Sequence, residues 1–149
     1  MARPNSGREL WERMQGFVAE DDGLPVYQCG VWTLDKLHFL SRYLATTTNA
    51  MVGKACWESV NYVDLFAASG VCMVTGEDGR KRRYPGSSLL AAGCKKPFDN
   101  LYLVESDAEK LHALQNRIAR LNTRSAVHVW VGDANTEGLK VAAQLPDNA

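Results

Sequence analysis

Two acidic residues and one run of small residues have the types and order needed to bind a nucleoside. The segment Asp64–Gly70 (DLFAASG) follows an apolar run, and its small residues let the backbone turn sharply and come close to a ligand. Glu105 follows a second apolar run, and its two oxygens can accept both hydroxyl protons of a ribose. Asp133 follows a third, between Gly132 and Ala134, where it could accept the exocyclic amine of an adenine.

Each of these features has a structural explanation when taken alone. A small-residue loop can serve packing, and an acidic residue after a strand often caps the next helix. Three such features in order, each after a strand, favour a nucleoside-containing ligand. Because the loop lacks the full G-x-G-x-x-G pattern, a dinucleotide pyrophosphate is less favoured than a ligand without phosphates. S-adenosylmethionine is therefore the natural candidate.

The elements that must position these residues alternate between strand and helix. A β-branched and aromatic run formed by Val60, Tyr62, Val63, Leu65 and Phe66 predicts a buried strand. Near-continuous apolar runs, typical of parallel strands covered on both faces, occur at Leu101–Val104 and Val127–Val131. Helical patterns are expected at Gly86–Ala92, at Ala108–Leu121 with Asp107 as N-cap, and at Thr136–Gln144. This order predicts a doubly wound α/β unit, which binds ligands at the carboxyl ends of its strands.

Two helices are predicted before the first strand. The first spans Arg8–Ala19 with Ser6 as its N-cap, and a turn at Asp21–Pro25 ends it. The second is expected to have Thr33 as its N-cap and one apolar stripe formed by Leu37, Leu40, Tyr43 and Leu44, with Trp32 as a core anchor. We therefore expect an N-terminal helical segment at 1–57 and a cofactor-binding half-domain at 58–149.

Composition limits the function classes. The 149 residues fit one domain, and 17 Lys plus Arg against 17 Asp plus Glu give no net charge to steer the chain toward nucleic acid. The basic run Arg80–Arg83, expected in a polar loop, gives nucleic-acid contact only weak support. No apolar stretch approaches the roughly 20 residues of a membrane span. We expect a soluble, cytoplasmic protein that does not bind membranes.

The cysteines do not suggest a metal site or a disulfide framework. They stand at Cys29, Cys56, Cys72 and Cys94 without a C-x-x-C pair or a matching histidine spacing. Thiols in a reducing cytoplasm are the simpler interpretation. No metal is therefore expected.

Several segments together resemble one known family. They are Gly30–Leu37 (GVWTLDKL), Tyr62–Gly70 (YVDLFAASG), Asp78-Gly79, Gly86–Ala92 (GSSLLAA), and Leu101–Asp107 followed by Leu111 and Leu114. This combination, which covers about Gly30 to Asp133, is similar to the three-Cys-motif partner family. The family name refers to a cysteine motif in the partner protein, so it says nothing about this chain's own cysteines.

The resemblance implies a fold, a cofactor and a set of binding residues. The expected fold is α/β, a Rossmann-like three-layer sandwich of the class I methyltransferase type, with S-adenosylmethionine as cofactor. By this resemblance Asp64 and the Ala67–Gly70 loop would hold the methionine part, Glu105 the ribose and Asp133 the adenine. The full set of expected cofactor-binding residues is Asp64, Phe66, Ala67, Ala68, Ser69, Gly70, Glu105, Asp133 and Ala134. No residue is assigned a catalytic role.

The chain departs from the family in two ways. The family usually has Gly and Pro where Ala68 and Ser69 stand here, and each added Cβ reduces backbone freedom. A complete methyltransferase sheet also continues with four more strands. Only about three parallel strands are expected here, so the first would lie at an open sheet edge. Such an edge would suit the N-terminal half of a longer protein or pairing with a second chain, including self-association.

These observations predict an S-adenosylmethionine-dependent methyltransferase, or its cofactor-binding N-terminal part, with an unknown acceptor and a protein partner bearing a three-cysteine motif. A non-catalytic Rossmann-like module that binds a partner protein is the alternative. A dinucleotide-binding oxidoreductase fragment is a third interpretation, which the missing glycines disfavour.

Overall fold

A computed structural model of the chain describes residues 6–147, which contain five helices and six strands. The helices are α1 (Gly7–Val18), α2 (Trp32–Met51), α3 (Ser87–Ala92), α4 (Ala108–Leu121) and α5 (Ala134–Gln144). The strands are β1 (Tyr27–Cys29), β2 (Asn61–Asp64), β3 (Val71–Thr75), β4 (Lys81–Pro85), β5 (Asn100–Glu105) and β6 (Ala126–Val131). The fold is thus α/β; the outermost residues of the two expected segments, 1–5 and 148–149, lie outside the described range.

One sheet consists of the three predicted strands, all parallel, in the order β2-β5-β6. Tyr62 lies opposite Leu101, and Tyr102 lies opposite His128. The central strand β5 is buried from Leu101 to Val104, which explains its continuous apolar run. Within residues 6–147, β2 pairs with β5 alone, so the expected open edge is confirmed.

A second sheet, in the order β1-β3-β4, was not predicted. β1 pairs in parallel with β3, and β3 forms an antiparallel hairpin with β4. The expectation that Arg80–Arg83 lies in a polar loop was wrong for its last three residues, because they belong to β4. Arg82 pairs with Asp78, and Arg83 donates to the Val18 carbonyl, so half of this basic run is engaged within the protein.

The helix starts confirm two of the three predicted caps. Ser6 Oγ accepts a hydrogen bond from the Glu9 N–H at 3.1 Å, and Asp107 caps α4. The Thr33 cap was wrong, because α2 begins at Trp32 and no side chain caps it. The first turn is closed by the backbone instead, with the Thr33 N–H donating to the Gly30 carbonyl at 3.0 Å.

Trp32, which was predicted to be a core anchor, and Tyr43, which belongs to the predicted apolar stripe, are both exposed. Trp32 is 68% exposed, and its ring occupies the space that a Cβ on Gly30 would fill. Tyr43 is also 68% exposed, whereas Leu37 and Leu44 of the same predicted stripe are buried as expected. The helix therefore presents the aromatic side chains of both Trp32 and Tyr43 to solvent.

Hydrophobic clusters lie on both faces of the parallel sheet. The larger cluster joins Leu101 and Leu103 of β5 to buried residues of α1, α2, α3 and α4. The smaller one joins Tyr102 and Val104, on the opposite face of β5, to Val141 of α5. Helices thus pack against both faces of β5 and hold the strands of the parallel sheet in place.

The four cysteines are reduced. Cys72 and Cys94 are buried, and burial raises the pKa of the Cys72 thiol to about 12 and that of Cys94 to about 11. These two thiols are therefore protonated at neutral pH. None of the described helices has the length and apolarity needed to cross a bilayer.

Candidate nucleoside-binding site

The three predicted acidic features meet at one edge of the parallel sheet. β2 ends at Asp64, β5 ends at Glu105, and Asp133 follows the end of β6. Glu105 lies opposite Val131, and its carbonyl accepts the Gly132 N–H at 3.0 Å. The edge is therefore built from the carboxyl ends of three parallel strands, where open α/β sheets place their ligands.

The loop after β2 is joined directly to Glu105. The Ala68 N–H donates to Glu105 Oε2 at 2.8 Å, and the Ala67 N–H donates to the Val104 carbonyl at 2.9 Å. Ala68 adopts the left-handed conformation, with φ at +55°, which L residues other than Asn and Asp rarely take. The position at which the resembled family usually has glycine is thus one where the backbone favours glycine.

Gly70 ends this loop with φ at +86°. A Cβ there would lie 2.8 Å from Leu114 Cδ1, so the residue needs both the space and the freedom of glycine. Its carbonyl accepts the Gly86 N–H at 2.7 Å, which connects the loop to the start of α3. The small residues at this end of the loop therefore have a packing role.

Asp64 is surrounded by donors. Its Oδ2 accepts hydrogen bonds from Ser87 Oγ at 2.6 Å, Ser88 Oγ at 3.0 Å and the Tyr62 hydroxyl at 3.1 Å. Its Oδ1 accepts the Phe66 N–H at 3.0 Å. Burial, then the charge of Asp64, raises the pKa of Tyr62 above its usual range, so the phenol remains a donor.

The role of the two serines was missed by sequence reasoning. Ser87 and Ser88 follow Gly86 in a segment noted only for its family resemblance and its helical pattern. Their hydroxyls reach Asp64 because Gly86 and Gly70 bring the start of α3 against the loop. The sequence did contain one signal for this contact. Asp64 lies at the end of a strand, and the next predicted helix begins with Gly86-Ser87-Ser88, which supplies two hydroxyl donors.

Glu105 connects two successive loops of the site. Besides Ala68, it receives the Asp107 N–H at 3.1 Å and Ser106 Oγ at 3.3 Å, both on Oε1. Because Glu105 is only half-buried, lone pairs of its carboxylate remain reachable from solvent. It lies at the centre of the strand-end edge.

Asp133 has a structural contact that bears on its predicted role. It is the N-cap of α5, and its Oδ1 accepts the N–H groups of Asn135 at 2.9 Å and Thr136 at 3.4 Å. The side chain is exposed, and within residues 6–147 its Oδ2 makes no hydrogen bond. Capping therefore uses one oxygen and leaves the other for a ligand.

The remaining predicted residues differ in exposure. Phe66 is 78% exposed and projects from the loop, whereas Ala67 and Ser69 are buried. Ala134 is the first residue of α5 and is half-buried. Of the predicted set, Phe66 and Asp133 are thus exposed, Asp64, Ala68, Glu105 and Ala134 are half-buried, and Ala67, Ser69 and Gly70 are buried.

A buried arginine holds the loop after β2 through a hydrogen bond to its backbone. Arg117 of α4 is fully buried, and its Nη1 donates to the carbonyls of Ser69 and Pro25, each at 2.7 Å. Its Nε and Nη2 donate to the two oxygens of Asp22. This contact, which no sequence pattern indicated, ties the turn after α1 to the loop after β2.

The exposed groups match the edges of a nucleoside. Glu105 offers carboxylate oxygens suited to a pair of vicinal hydroxyls, Asp133 Oδ2 can accept an amine, and Phe66 offers an aromatic face. Within the described residues, His, Cys, Asp and Glu side chains form no group of three or more that could hold a metal ion.

Comparisons of the chain with protein-family models, with curated proteins and with solved structures find no match.

Proposed function

We propose that the chain binds S-adenosylmethionine and acts as a methyltransferase, or as the cofactor-binding part of one, in a Rossmann-like arrangement. The observation that supports this proposal best is the meeting of Glu105, the Ala68 loop and Asp133 at the carboxyl ends of β5, β2 and β6. The strand order β2-β5-β6, with helical residues packed on both faces of β5, is compatible with it.

Each residue at this edge has a defined role in the proposal. Glu105 accepts the ribose hydroxyls, Asp133 Oδ2 accepts the adenine amine, and Phe66 covers one face of the ligand. Asp64 and the Ala67–Gly70 loop hold the methionine part, with Asp64 oriented by Ser87 and Ser88. The carboxylate acceptors suit a nucleoside, although Asp64 already accepts four hydrogen bonds within the protein and Glu105 accepts three.

The cofactor would supply a methyl group on a sulfonium, which is transferred by direct displacement. The protein's part is then to orient the donor and exclude water. The acceptor would approach near Asp64 and Phe66, beside the open edge of β2. A protein partner carrying a three-cysteine motif belongs to the same proposal.

A second candidate, a non-catalytic partner-binding module, is favoured by one specific contact. The Ala68 N–H already donates to Glu105 Oε2, and Ala68 carries a Cβ in a left-handed conformation. The loop therefore already uses part of the acceptor capacity of Glu105 that the hydroxyls of a ribose would need. A module that keeps the fold without the cofactor would show this geometry.

Calorimetric titration with S-adenosylhomocysteine separates the two candidates. We expect micromolar binding to the wild-type chain, weakened by at least about tenfold, or ~1.4 kcal/mol, in Glu105→Gln. Glu109→Gln is the matched control, because Glu109 is an exposed glutamate in the first turn of α4, four residues further along. It should bind like the wild type.

The contrary results are clear. If the folded wild-type chain binds no S-adenosylhomocysteine, the partner-binding module is favoured instead. If both glutamate variants weaken binding equally, the effect is one of general charge and Glu105 does not hold the ribose. Adenosine as a second titrant shows whether the nucleoside alone is recognised.

A further inference from the structure

The open edge of β2 presents unpaired main-chain groups. The Val60 carbonyl accepts the Asp99 N–H at 2.9 Å, so the backbone of Val60 faces β5. The backbone N–H and C=O groups of successive residues point to alternate sides of a strand. Those of Tyr62 and Asp64 therefore also point toward β5, whereas those of Asn61 and Val63 point away from it. Within residues 6–147, the N–H and C=O groups of Asn61 and Val63 therefore have no partner strand and can pair with another one.

An apolar groove lies beside this edge. It has a volume of about 280 Å³, and β2 contributes Asn61, Tyr62 and Val63 to its lining, opposite Tyr43 and Met51 of α2. Tyr43 is 68% exposed, and Phe39, one turn earlier on the same helix face, is equally exposed. Val63 is 39% exposed, so apolar side chains flank the free main-chain groups.

We propose that a second copy of this chain pairs with this edge, β2 against β2 in antiparallel orientation about a two-fold axis. A register centred on Tyr62 places Asn61 opposite Val63 of the second copy, and Val63 opposite Asn61 of the second copy. All four outward-facing residues then exchange hydrogen bonds, and only strand residues are used. The result is one continuous six-stranded sheet.

Charge does not oppose a copy of the same chain at this edge. Asn61, Tyr62 and Val63 are uncharged, so a two-fold pair brings no like charges together at its centre. In the proposed register the two Asp64 carboxylates lie at opposite ends of the strand pair. Each is also already held by Ser87 and Ser88 of its own chain.

The exposed apolar area is large enough to contribute to such an interface. Phe39, Tyr43 and Val63 together expose on the order of 300 Å² of side chain, judged from the 150–250 Å² that aromatic side chains bury. A standard interface buries about 800 Å² per partner, with rather more than half of it non-polar. Pairing of the two β2 strands would bring the α2 helices together across the axis and supply much of that area.

The test is the solution mass of the chain, measured by sedimentation velocity over a range of concentrations. The monomer mass is 16.5 kDa, and we expect the wild type to reach twice this value. Val63→Lys places charge at the proposed interface and should leave only monomer. Val127→Lys is a closely matched control, because Val127 is 38% exposed and lies on β6, at the other edge of the same sheet.

A second pair of variants, neither of them in β2, distinguishes loss of the interface from misfolding of that strand. Tyr43→Lys changes α2 without altering the strand and should also abolish the dimer, whereas Leu139→Lys, at a 74% exposed position on α5, should not. A wild type that stays monomeric at all concentrations would overturn the proposal. So would a dimer that is lost in Val127→Lys and kept in Val63→Lys. The assay needs no cofactor, so its outcome is independent of the proposed function.

Discussion

Arg117 and Asp22 lie 95 positions apart in the sequence and form a bidentate ion pair in the fold. Arg117 Nε donates to Asp22 Oδ2 and Arg117 Nη2 donates to Asp22 Oδ1, each at 2.8 Å. Since Arg117 also donates to the Ser69 carbonyl, the pair joins the turn after α1 to the candidate site. A charge buried to this degree depends on its partner, because water does not replace the lost contact.

Removing Asp22 should therefore destabilise the protein strongly. We expect Asp22→Ala to lower the free energy of unfolding by about 3–5 kcal/mol, because the buried guanidinium of Arg117 loses its counter-charge. Asp21→Ala is the control, since the Asp21 side chain is 83% exposed and lies 3.7 Å from Arg83. It should cost less than about 1 kcal/mol. Urea unfolding measures both, and equal losses would contradict the role given to Arg117.

The same pair should give the protein a distinct acid sensitivity. The hydrogen bond from Arg117 holds the pKa of Asp22 well below its usual range, against the opposing effect of burial. A carboxyl with a lowered folded-state pKa stabilises the fold above its unfolded pKa of about 3.9, and this contribution disappears as the pH falls further. Unfolding measured between about pH 5 and pH 2 should show a steep loss of stability for the wild type once the pH falls below about 4. Asp22→Ala should show a shallower one, and parallel curves would exclude Asp22 as the cause.

Ala68→Gly should stabilise the chain. A left-handed alanine costs about 1–2 kcal/mol, part of which glycine loses again through its greater freedom when unfolded, so we expect a gain of about 0.5–1 kcal/mol. Asn122, the C-cap of α4 with φ at +54°, is the comparison, because asparagine tolerates this conformation. Asn122→Gly should change thermal stability little. A loss of stability in Ala68→Gly would show that the loop carries no backbone strain.

Gly70→Ala should be costly for two separable reasons. The substitution strains a backbone with φ at +86° and places a Cβ within 3.0 Å of Leu114 and Leu89. Gly79→Ala introduces similar backbone strain, with φ at +75°, into open space. We expect Gly79→Ala to cost about 1 kcal/mol and Gly70→Ala clearly more, and the difference in chemical denaturation measures the steric contribution. Equal costs would show that Leu114 and Leu89 move aside freely.

The parallel sheet and the acidic residues at its strand ends were predictable from the sequence because their signals are local. β5 and β6 carry near-continuous apolar runs, β2 lies in a run of β-branched and aromatic residues, and Asp107 stands directly before the periodic residues of α4. Asp64, Glu105 and Asp133 were found because each follows such a run. The position of the sheet edge then followed from the number of strands.

The features that were missed depend on contacts between distant segments. β1 has three residues, too few for a pattern, and β4 carries three consecutive residues, Lys81, Arg82 and Arg83, that suggest a surface loop. Arg117 lies in the same periodic pattern as the apolar residues of α4, and nothing near it in the sequence indicates that it is buried. Tyr43 fits the helical stripe, yet it borders the open edge of β2, where nothing within residues 6–147 covers it.

The pairing of β1 with β3 also affects synthesis. Tyr27 forms its ladder with Cys72, and the Asp22 carboxylate meets its counter-charge only when Arg117 has been made. During translation from the N-terminus, the first thirty residues therefore leave the ribosome well before the segments that stabilise them. Their contacts with β3 and Arg117 form only after those segments are made, so a stalled or shortened nascent chain would expose the apolar face of α1 to chaperones and proteases.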